Sequence, residues 1–330
     1  ALAAGRAGAR VIIADEQSEF GGLTLARKAR IDDAVASQWI ENAVAGVPQL
    51  AEVALLPRST VFGYHGDSFL TINQRLSDHL PLAERPASRE RLWQVRAHQV
   101  VLATGAAERP LIFANNDRPG IMLASAASIY ANRYAVRPGS RAVVFTNNDS
   151  AYQTALDLKA AGVELEAVVD ARAASDSEIA NTVRSAGIQV INGSVVIDTA
   201  GRKRLSSVQV MRLSAEGNSV SGEARSLSCD LLTVSGGWSP VVHLNAQSGA
   251  KPVWDDAGAM FRPGEPTQSQ VSAGAANGTL DLAGCLREGV TAGDQAAIAC
   301  GFKASSQPAK AEQTESEAIL PLWLLPSPYT

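Results

Sequence analysis

The sequence predicts an α/β protein built from two three-layer units with parallel sheets. Three observations point to this fold class. The run Arg10–Gly22 contains a β-branched apolar strand, two adjacent acids at Asp15 and Glu16, and a closing glycine pair. A second apolar strand ends in Ala-Thr-Gly at Gly105, and Arg141–Asp170 has a strand–helix–strand pattern. Short apolar runs that alternate with helices are typical of parallel strands buried on both faces.

The first strand also carries a binding signal. A carboxylate at the carboxyl end of such a strand can accept hydrogen bonds from ribose hydroxyls, and it usually follows a Gly-x-Gly-x-x-Gly turn by roughly 20 residues. Counting back from Asp15 passes Ala1. We therefore expect residues 1–9 to be the end of a helix in a fragment whose first strand is truncated. The predicted fold is two Rossmann-like domains of the two-dinucleotide-binding flavoprotein type, which bind FAD or NAD(P).

The domain boundaries are predicted from changes in pattern. Residues 1–137 form the first part of a dinucleotide-binding domain, with an antiparallel insert at about 68–99, and residues 241–302 return to it. Residues 138–240 form a second Rossmann-like domain, whose turn has Thr146, Asn148 and Ala151 where glycines would stand. Because their side chains obstruct a close backbone approach to pyrophosphate, we expect this domain to be scaffold. Ser150 and Gln153 have the spacing of a capping box.

Three further segments are predicted locally. Ile31–Val44 has the apolar spacing of an amphipathic helix. Two short strands, Ala51–Leu56 and Thr60–Phe62, are expected around Pro57, where the third parallel strand of the first domain would lie and would include Val61. Residues 303–330 are predicted to be a polar linker followed by the start of a further domain. Within them, Ile319–Pro326 is a short apolar segment that we expect to be the first docking strand of that further domain.

Composition excludes several functions. The chain has 330 residues, 46% hydrophobic and 19% charged, with net charge -4 and pI near 5.7, so it has no basic stripe for nucleic acid. No apolar run approaches the ~20 residues that span a membrane. The basic run Arg202–Arg204 is predicted to be a solvated turn. The cysteines and the histidines are isolated, so we predict no catalytic residue and no metal site; they are Cys229, Cys285, Cys300, His65, His79, His98 and His243.

Several motifs together resemble one family. They are VIIADEQSEFGG at 11–22, RLW at 91–93, VVLATGAAERPLIFANNDRPGIML at 100–123, RAVVFTNNDSAYQTALDLKAAGVELEAVVD at 141–170, VSGGWSP at 234–240, AGAANG at 273–278 and PLWL at 321–324. With them the chain resembles the α subunits of heterotetrameric sarcosine oxidases along nearly its whole length. In ordinary flavoproteins of this architecture, a Gly-Asp pair that holds a flavin stands where this chain has Ala276 and Asn277.

The resemblance implies an activity for the assembled enzyme. Sarcosine would be oxidatively demethylated to glycine, its one-carbon unit transferred to tetrahydrofolate, and hydrogen peroxide produced. NAD would be bound in this chain, FAD in the β subunit with the amine substrate, and FMN near the contact with β. Tetrahydrofolate would bind an aminomethyltransferase-like domain beyond this chain. The implied partners are β, γ and δ subunits, with no nucleic acid and no membrane, in the cytoplasm.

The resemblance also implies which residues contact NAD, and the strand-end motifs add others. The predicted cofactor-binding residues are Asp15, Glu16, Gln17, Gly22, Leu23, Thr24, Val61, Thr104, Gly105, Ala275, Asn277, Gly278 and Leu280. Leu23 departs from the small or hydroxyl residue that is usual in the family, and Thr24 could replace it.

Three alternatives stay open at this point. The chain could belong to a related amine-oxidising complex, namely an N-methylglutamate dehydrogenase, an opine oxidase or a hydrogen cyanide synthase. It could be a docking scaffold that binds no nucleotide, although two adjacent strand-end acids argue against this. A free-standing NAD(P)H–flavin reductase is disfavoured by the absence of a Cys-x-x-Cys pair and by Ala276 and Asn277.

Overall fold

A computed structural model describes residues 1–314 and 318–328 of the chain. The α-helices are α1 Leu2–Arg6, α2 Ala36–Ala45, α3 Ala124–Arg133, α4 Ser150–Ala160, α5 Glu178–Ser185, α6 His243–Gln247 and α7 Leu282–Ala299. The strands are β1 Val11–Ala14, β2 Arg30–Ile31, β3 Ala34–Val35, β4 Val53–Leu56, β5 Ser59–His65, β6 Phe69–Arg75, β7 Glu90–Arg96, β8 Val100–Leu102, β9 Ala106–Glu108, β10 Ile121–Leu123, β11 Arg141–Thr146, β12 Glu164–Asp170, β13 Val190–Asn192, β14 Ser194–Ala200, β15 Ser207–Leu213, β16 Val220–Ser228, β17 Leu231–Ser235, β18 Trp238–Pro240, β19 Val253–Asp255, β20 Met260–Arg262 and β21 Gln270–Ser272.

The described residues form two compact units. Unit 1 contains Ala1–Ala106, Pro240–Asp255 and Met260–Thr314, and unit 2 contains Ala107–Ser239, Asp256–Ala259 and the described part of Glu315–Thr330. The predicted domain boundaries at residues 137, 240 and 302 differ from these unit boundaries and stay predictions.

Unit 1 holds two parallel strand pairs and an antiparallel sheet. Strand β1 pairs with β4, and β8 pairs with β21, each in parallel. Strands β5, β6 and β7 form the antiparallel sheet, which contains the predicted insert. Helix α7 packs against both α1 and β8. Its alanines and glycines allow this close approach, since a Cβ on Gly293 would lie 3.1 Å from the Cβ of Ala3.

Unit 2 is a three-layer arrangement around a fully parallel sheet of order β10-β17-β11-β12-β13. Successive residues of β11 face opposite sides of the sheet, as strand geometry requires. Val143 and Phe145 belong to the core shared with the antiparallel strands β14, β15 and β16, whereas Val144 belongs to the core beneath helices α4 and α5. All three side chains are fully buried.

The amphipathic helix predicted over Ile31–Val44 begins later than expected. Ile31 lies in the β2–β3 hairpin, and the helix starts at Ala36. Asp32 and Asp33 have φ values of 47° and 64°, which form the tight turn of this hairpin. Acidic residues tolerate this left-handed region better than most, so the backbone turns where apolar spacing alone predicted a helix.

The segment predicted as a linker lies along unit 1 over its described part. Lys310 N–H donates to Asp32 Oδ1 at 2.7 Å, and Asp32 N–H donates to Lys310 O at 2.9 Å. Ser306 donates to Asp294 through its N–H and its hydroxyl, at 2.6 and 2.8 Å. Glu315–Glu317 and Tyr329–Thr330 of the predicted 303–330 region lie outside the described residues.

The apolar segment at 319–326 packs on unit 2, whereas it was expected to be the first docking strand of another domain. Leu325 is 7% exposed and joins the core that contains Phe145. Ile112 N–H donates to Trp323 O at 2.7 Å, and Leu325 N–H donates to Ile112 O at 2.9 Å. The core of unit 2 therefore supplies the apolar surface that this short segment cannot provide for itself.

Candidate functional site

The turn after β1 holds the two predicted strand-end acids. Asp15 Oδ1 accepts a hydrogen bond from Gln17 N–H at 2.9 Å, so the Asp15 side chain closes its own turn. Ser59 N–H donates to Asp15 O at 2.7 Å, and Arg58 N–H donates to Gln17 O at 2.8 Å. The Glu16 side chain is exposed, and its carboxylate makes no hydrogen bond or ion pair within residues 1–314 and 318–328. The Glu16 carboxylate oxygens are therefore available as hydrogen-bond acceptors.

The glycine pair after this turn brings the backbone close to helix α2. Gly21 has φ of 126°, and a Cβ there would lie 2.9 Å from Ile40 Cδ1. Gly22 begins a 3₁₀ helix that contains the predicted contacts Leu23 and Thr24, both half-buried. The close approach explains why small residues stand at this position.

Thr104 and Gly105 follow the carboxyl end of β8. Thr104 Oγ1 donates to Val241 O at 2.7 Å, and Val241 N–H donates to Gly105 O at 2.9 Å. Gly105 has φ of 75°, and a Cβ there would have no atom within 4 Å. The glycine is thus required for its backbone conformation, and it leaves open space beside the chain.

The loop after β21 contains the predicted contacts Ala275, Asn277, Gly278 and Leu280. Glu288 on helix α7 fixes this loop, because its carboxylate accepts Gly274 N–H at 2.9 Å, Asn277 Nδ2–H at 3.3 Å and the hydroxyl of Thr279. The Asn277 amide group is consequently engaged by Glu288. Sequence reasoning missed Glu288, whose only signal was an acid about two helical turns beyond the N-cap of α7, Asp281.

Gly278 has φ of 88° at the end of this loop, and Arg262 Nε donates to Asn277 O at 2.9 Å. Leu280 remains 38% exposed. The loop is therefore held from two sides, by Glu288 and by Arg262.

Val61 does not lie where it was predicted. The parallel neighbour of β1 is β4, Val53–Leu56, whereas Val61 belongs to β5 of the antiparallel sheet and pairs with Ile72. Its side chain packs against the cluster that contains Tyr64 and Leu102. The prediction placed Val61 on the third parallel strand, which in fact ends before Pro57.

The other candidate residues share one kind of position in unit 1. They follow the carboxyl ends of β1, β8 and β21, and ligands of open α/β sheets bind outside the carboxyl ends of the parallel strands. The predicted contacts to a nucleotide at this edge, through the Glu16 carboxylate and the glycine-containing turns, stay a prediction.

The corresponding edge of unit 2 is filled by its own side chains. Asn148 is 7% exposed and links the ends of β11 and β17. Its Nδ2 donates to Ser235 O at 3.2 Å, and its Oδ1 accepts Ser150 N–H at 3.0 Å. The N–H at the start of α4 that would face a phosphate is therefore already satisfied. The predicted capping box is absent, because Gln153 Nε2 donates to Asp157 Oδ1 and the N-cap is Asp149.

Asp170, the acid at the end of β12 in unit 2, belongs to a buried network of charged side chains. Asp170 is 0% exposed and accepts Arg172 Nη2–H at 2.7 Å and Tyr152 O–H at 2.8 Å. Arg172 also pairs with the buried Asp149 at 2.6 Å. Burial raises the pKa of the Asp170 carboxyl, and the hydrogen bonds from Arg172 oppose this only in part. Asp170 cannot accept hydrogen bonds from a ribose while Arg172 and Tyr152 occupy it.

Asn147 completes this edge, since its Nδ2 donates to the carbonyl oxygens of Leu320 at 2.9 Å and Leu322 at 3.1 Å. The chain's own segment thus covers the end of β11. Sequence analysis identified the altered turn but not what binds there.

Comparison with known proteins gives the family. The sarcosine oxidase α subunit of Corynebacterium sp. (strain P-1) is 43% identical over 328 residues, and that of Corynebacterium sp. (strain U-96) is 41% identical over 328 residues. Each alignment covers 98% of this chain. The chain is related to the sarcosine oxidase α subunits. It spans about a third of their length, 34% in both cases. The resemblance expected from the motifs is confirmed. No protein-family model matches the chain.

Solved structures confirm the predicted fold class. The L-proline dehydrogenase of P. horikoshii matches with a TM-score of 0.65 at 18% identity, covering 94% of this chain and 58% of that one. The thioredoxin reductase of T. acidophilum matches with a TM-score of 0.63 at 15% identity, covering 91% and 92%. The fold is the one predicted, that of flavoproteins with two dinucleotide-binding domains.

Groups of metal-ligating side chains and membrane-spanning helices are both absent from the described residues. In residues 1–314 and 318–328, no three His, Cys, Asp or Glu side chains are grouped so that they would hold a metal ion. Across the same residues, none of the helices has the length and apolar character needed to cross a membrane.

Proposed function

We propose that the chain is the NAD-binding part of the α subunit of a heterotetrameric sarcosine oxidase. The enzyme would demethylate sarcosine oxidatively to glycine, transfer the one-carbon unit to tetrahydrofolate and produce hydrogen peroxide. The observation that carries the proposal is the identity of 43% to a sarcosine oxidase α subunit across 98% of the chain. The free carboxylate of Glu16 at the end of β1 supports a dinucleotide in this part of the subunit.

The residues of unit 1 fit NAD better than a flavin. Glu16, with Asp15 beside it, would hold the adenosine ribose, because carboxylates accept hydrogen bonds from both ribose hydroxyls. A flavin would need an acid at the position of Asn277, and that amide is already bonded to Glu288. NAD would bring a redox-active nicotinamide when bound. Its role in this chain would be structural or regulatory.

Further contacts to NAD are proposed from the strand-end turns. They would come from Gln17, Gly22, Leu23 and Thr24 after β1, from Thr104 and Gly105 after β8, and from Ala275, Asn277, Gly278 and Leu280 after β21. In this proposal none of these residues acts as an acid, base or nucleophile. They bind and orient the dinucleotide.

The remaining parts of the reaction would lie on other chains and domains. Sarcosine and FAD would be on the β subunit, FMN near the contact with β, and tetrahydrofolate on an aminomethyltransferase-like domain of the α subunit outside this sequence. The γ and δ subunits would complete a cytoplasmic complex. The similarity to sarcosine oxidase α subunits supports each of these placements.

The proposal is tested by identifying the cofactor that the purified full-length protein releases. Acid release followed by mass spectrometry is expected to give NAD in stoichiometric amount. Glu16→Gln should weaken NAD binding about tenfold to a hundredfold, because a hydrogen bond to a charged group contributes ~1.5–3 kcal/mol. Glu164→Gln removes an exposed carboxylate of unit 2 that pairs with Arg141, and it should leave NAD occupancy unchanged. Stoichiometric FAD with no NAD would refute the assignment.

A further inference from the structure

A cavity of about 430 Å³ opens at the amino end of the parallel sheet of unit 2. Arg141 begins β11, and Asp230 immediately precedes β17, so the cavity lies at the edge opposite the one described above. Four cationic side chains line it, namely Arg141, Arg202, Lys203 and Arg204. Its volume is within the ~300–1,000 Å³ usual for small-molecule sites.

The turn that carries three of these cations has a fixed backbone. Gly201 has φ of 139°, and a Cβ there would overlap the carbonyl oxygen of Arg204, so the turn can close only at glycine. Leu205 is 1% exposed, and its N–H donates to Pro119 O at 2.8 Å. The backbone of the turn is thus anchored at both ends. Ligand binding would not have to order a mobile loop before the cations could make contact.

Arg204 lies close enough to Asp230 to lower the pKa of that carboxyl, whereas no such partner balances the charges of Arg202 and Lys203 among the described residues. In the part of unit 2 that the structure describes, the side chains of Arg202, Lys203 and Arg204 make no hydrogen bond and no ion pair. Asp230 is the carboxylate of the cavity wall, and its Oδ1 already accepts Arg141 N–H at 2.8 Å. A guanidinium group without an internal partner can donate two parallel hydrogen bonds to a pair of phosphate oxygens.

We propose that this cavity binds a compact polyanion that carries two or more linked phosphate groups. Four cations from two separate segments, β11 and the 202–204 turn, line the cavity. Arg141 also pairs with Glu164, and Arg204 lies near Asp230, so the cations still outnumber the carboxylates beside them. This excess positive charge suits a di- or triphosphate chain. Among the described residues that line the cavity none is aromatic, so it offers no stacking surface for a nucleobase. The recognised part is therefore the phosphate chain itself. This site is independent of the NAD proposed for unit 1.

Isothermal titration of tripolyphosphate into the full-length protein, at fixed ionic strength, tests the proposal. Saturable binding with one site per chain is expected. The variant R202Q/K203Q/R204Q should bind at least about tenfold more weakly, since each lost charge-assisted contact contributes ~1.5–3 kcal/mol. All three residues are exposed, so the variant should fold, and its NAD occupancy should match the parent protein. Citrate should bind at least about fivefold more weakly than tripolyphosphate, because its carboxylates are not linked as phosphates are.

The matched control removes three exposed lysines of unit 1, as K28Q/K251Q/K303Q. It lowers the net charge equally and should change the affinity less than about twofold. Absence of saturable binding to the parent protein would overturn the proposal. If both triple variants bound tripolyphosphate equally weakly, the binding would depend only on net charge and the proposed site would be wrong. Equal affinity for citrate and tripolyphosphate would contradict the proposal that the ligand carries linked phosphates.

Discussion

Replacing Arg172 with methionine would leave two buried carboxylates without their shared cation. Arg172 is 8% exposed, and Asp149 and Asp170 are 4% and 0% exposed. Removing one partner of a buried ion pair costs about 3–5 kcal/mol, because the remaining charge stays desolvated. For a unit of this size, about 2–4 °C per kcal/mol corresponds to a fall in Tm of roughly 6–20 °C.

The pH dependence of the Arg172→Met variant has a definite sign. Burial already raises the pKa of Asp170 above its unfolded value, and losing Arg172 raises it further. A carboxyl whose folded pKa is raised contributes stability that is lost as pH rises through that value. The difference in unfolding free energy between variant and parent should therefore be smaller at pH 5 than at pH 8.

Urea unfolding at both pH values is the assay. Arg141→Met is the control, because the Arg141–Glu164 pair is 44% and 63% exposed and should contribute less than ~1 kcal/mol. Adding Asp170→Asn to Arg172→Met should restore part of the loss, since the unpaired charge is removed. If Arg172→Met costs no more than Arg141→Met, the account of this network is wrong.

Two further outcomes are expected. Leu325→Ala should lower the unfolding free energy of unit 2 by about 2–5 kcal/mol, whereas Leu324→Ala, at a 70% exposed position, should change it by less than ~0.5 kcal/mol. Equal effects in urea unfolding would contradict the packing of this segment. Burial raises the pKa of the Cys229 thiol to about 12, so iodoacetamide at pH 8 should label the exposed Cys300 and spare Cys229. Peptide mapping that shows equal labelling of both would contradict this assignment.

Local patterns were sufficient for much of the fold. The β-branched run at Val11–Ala14 and the apolar run at Val100–Leu102 form strands where they were predicted, because β-branched and apolar residues favour strands. The change of pattern after Ser68 likewise predicted antiparallel strands, and β6 and β7 pair in that way.

The errors arise where a distant contact decides the conformation. Val61 was assigned to a parallel strand because the sequence does not show that β5 pairs with β6 rather than with β4. Ile319–Pro326 looked unable to bury itself, and only the folded core around Phe145 shows where Leu325 is accommodated. Of the candidate site, the strand-end acid Glu16 was predictable from position. Glu288 was not, since its three acceptor contacts depend on how α7 meets the loop after β21.

The buried network of unit 2 also restricts how this fold can change during evolution. A nucleotide site there would require that Asp170 be released from Arg172 and that Asn148 give way to a smaller residue. Each single substitution toward that state leaves a buried carboxylate or a buried amide partner unsatisfied, which costs about 1–5 kcal/mol. Single point mutations therefore cannot easily open this edge of unit 2 to a ligand.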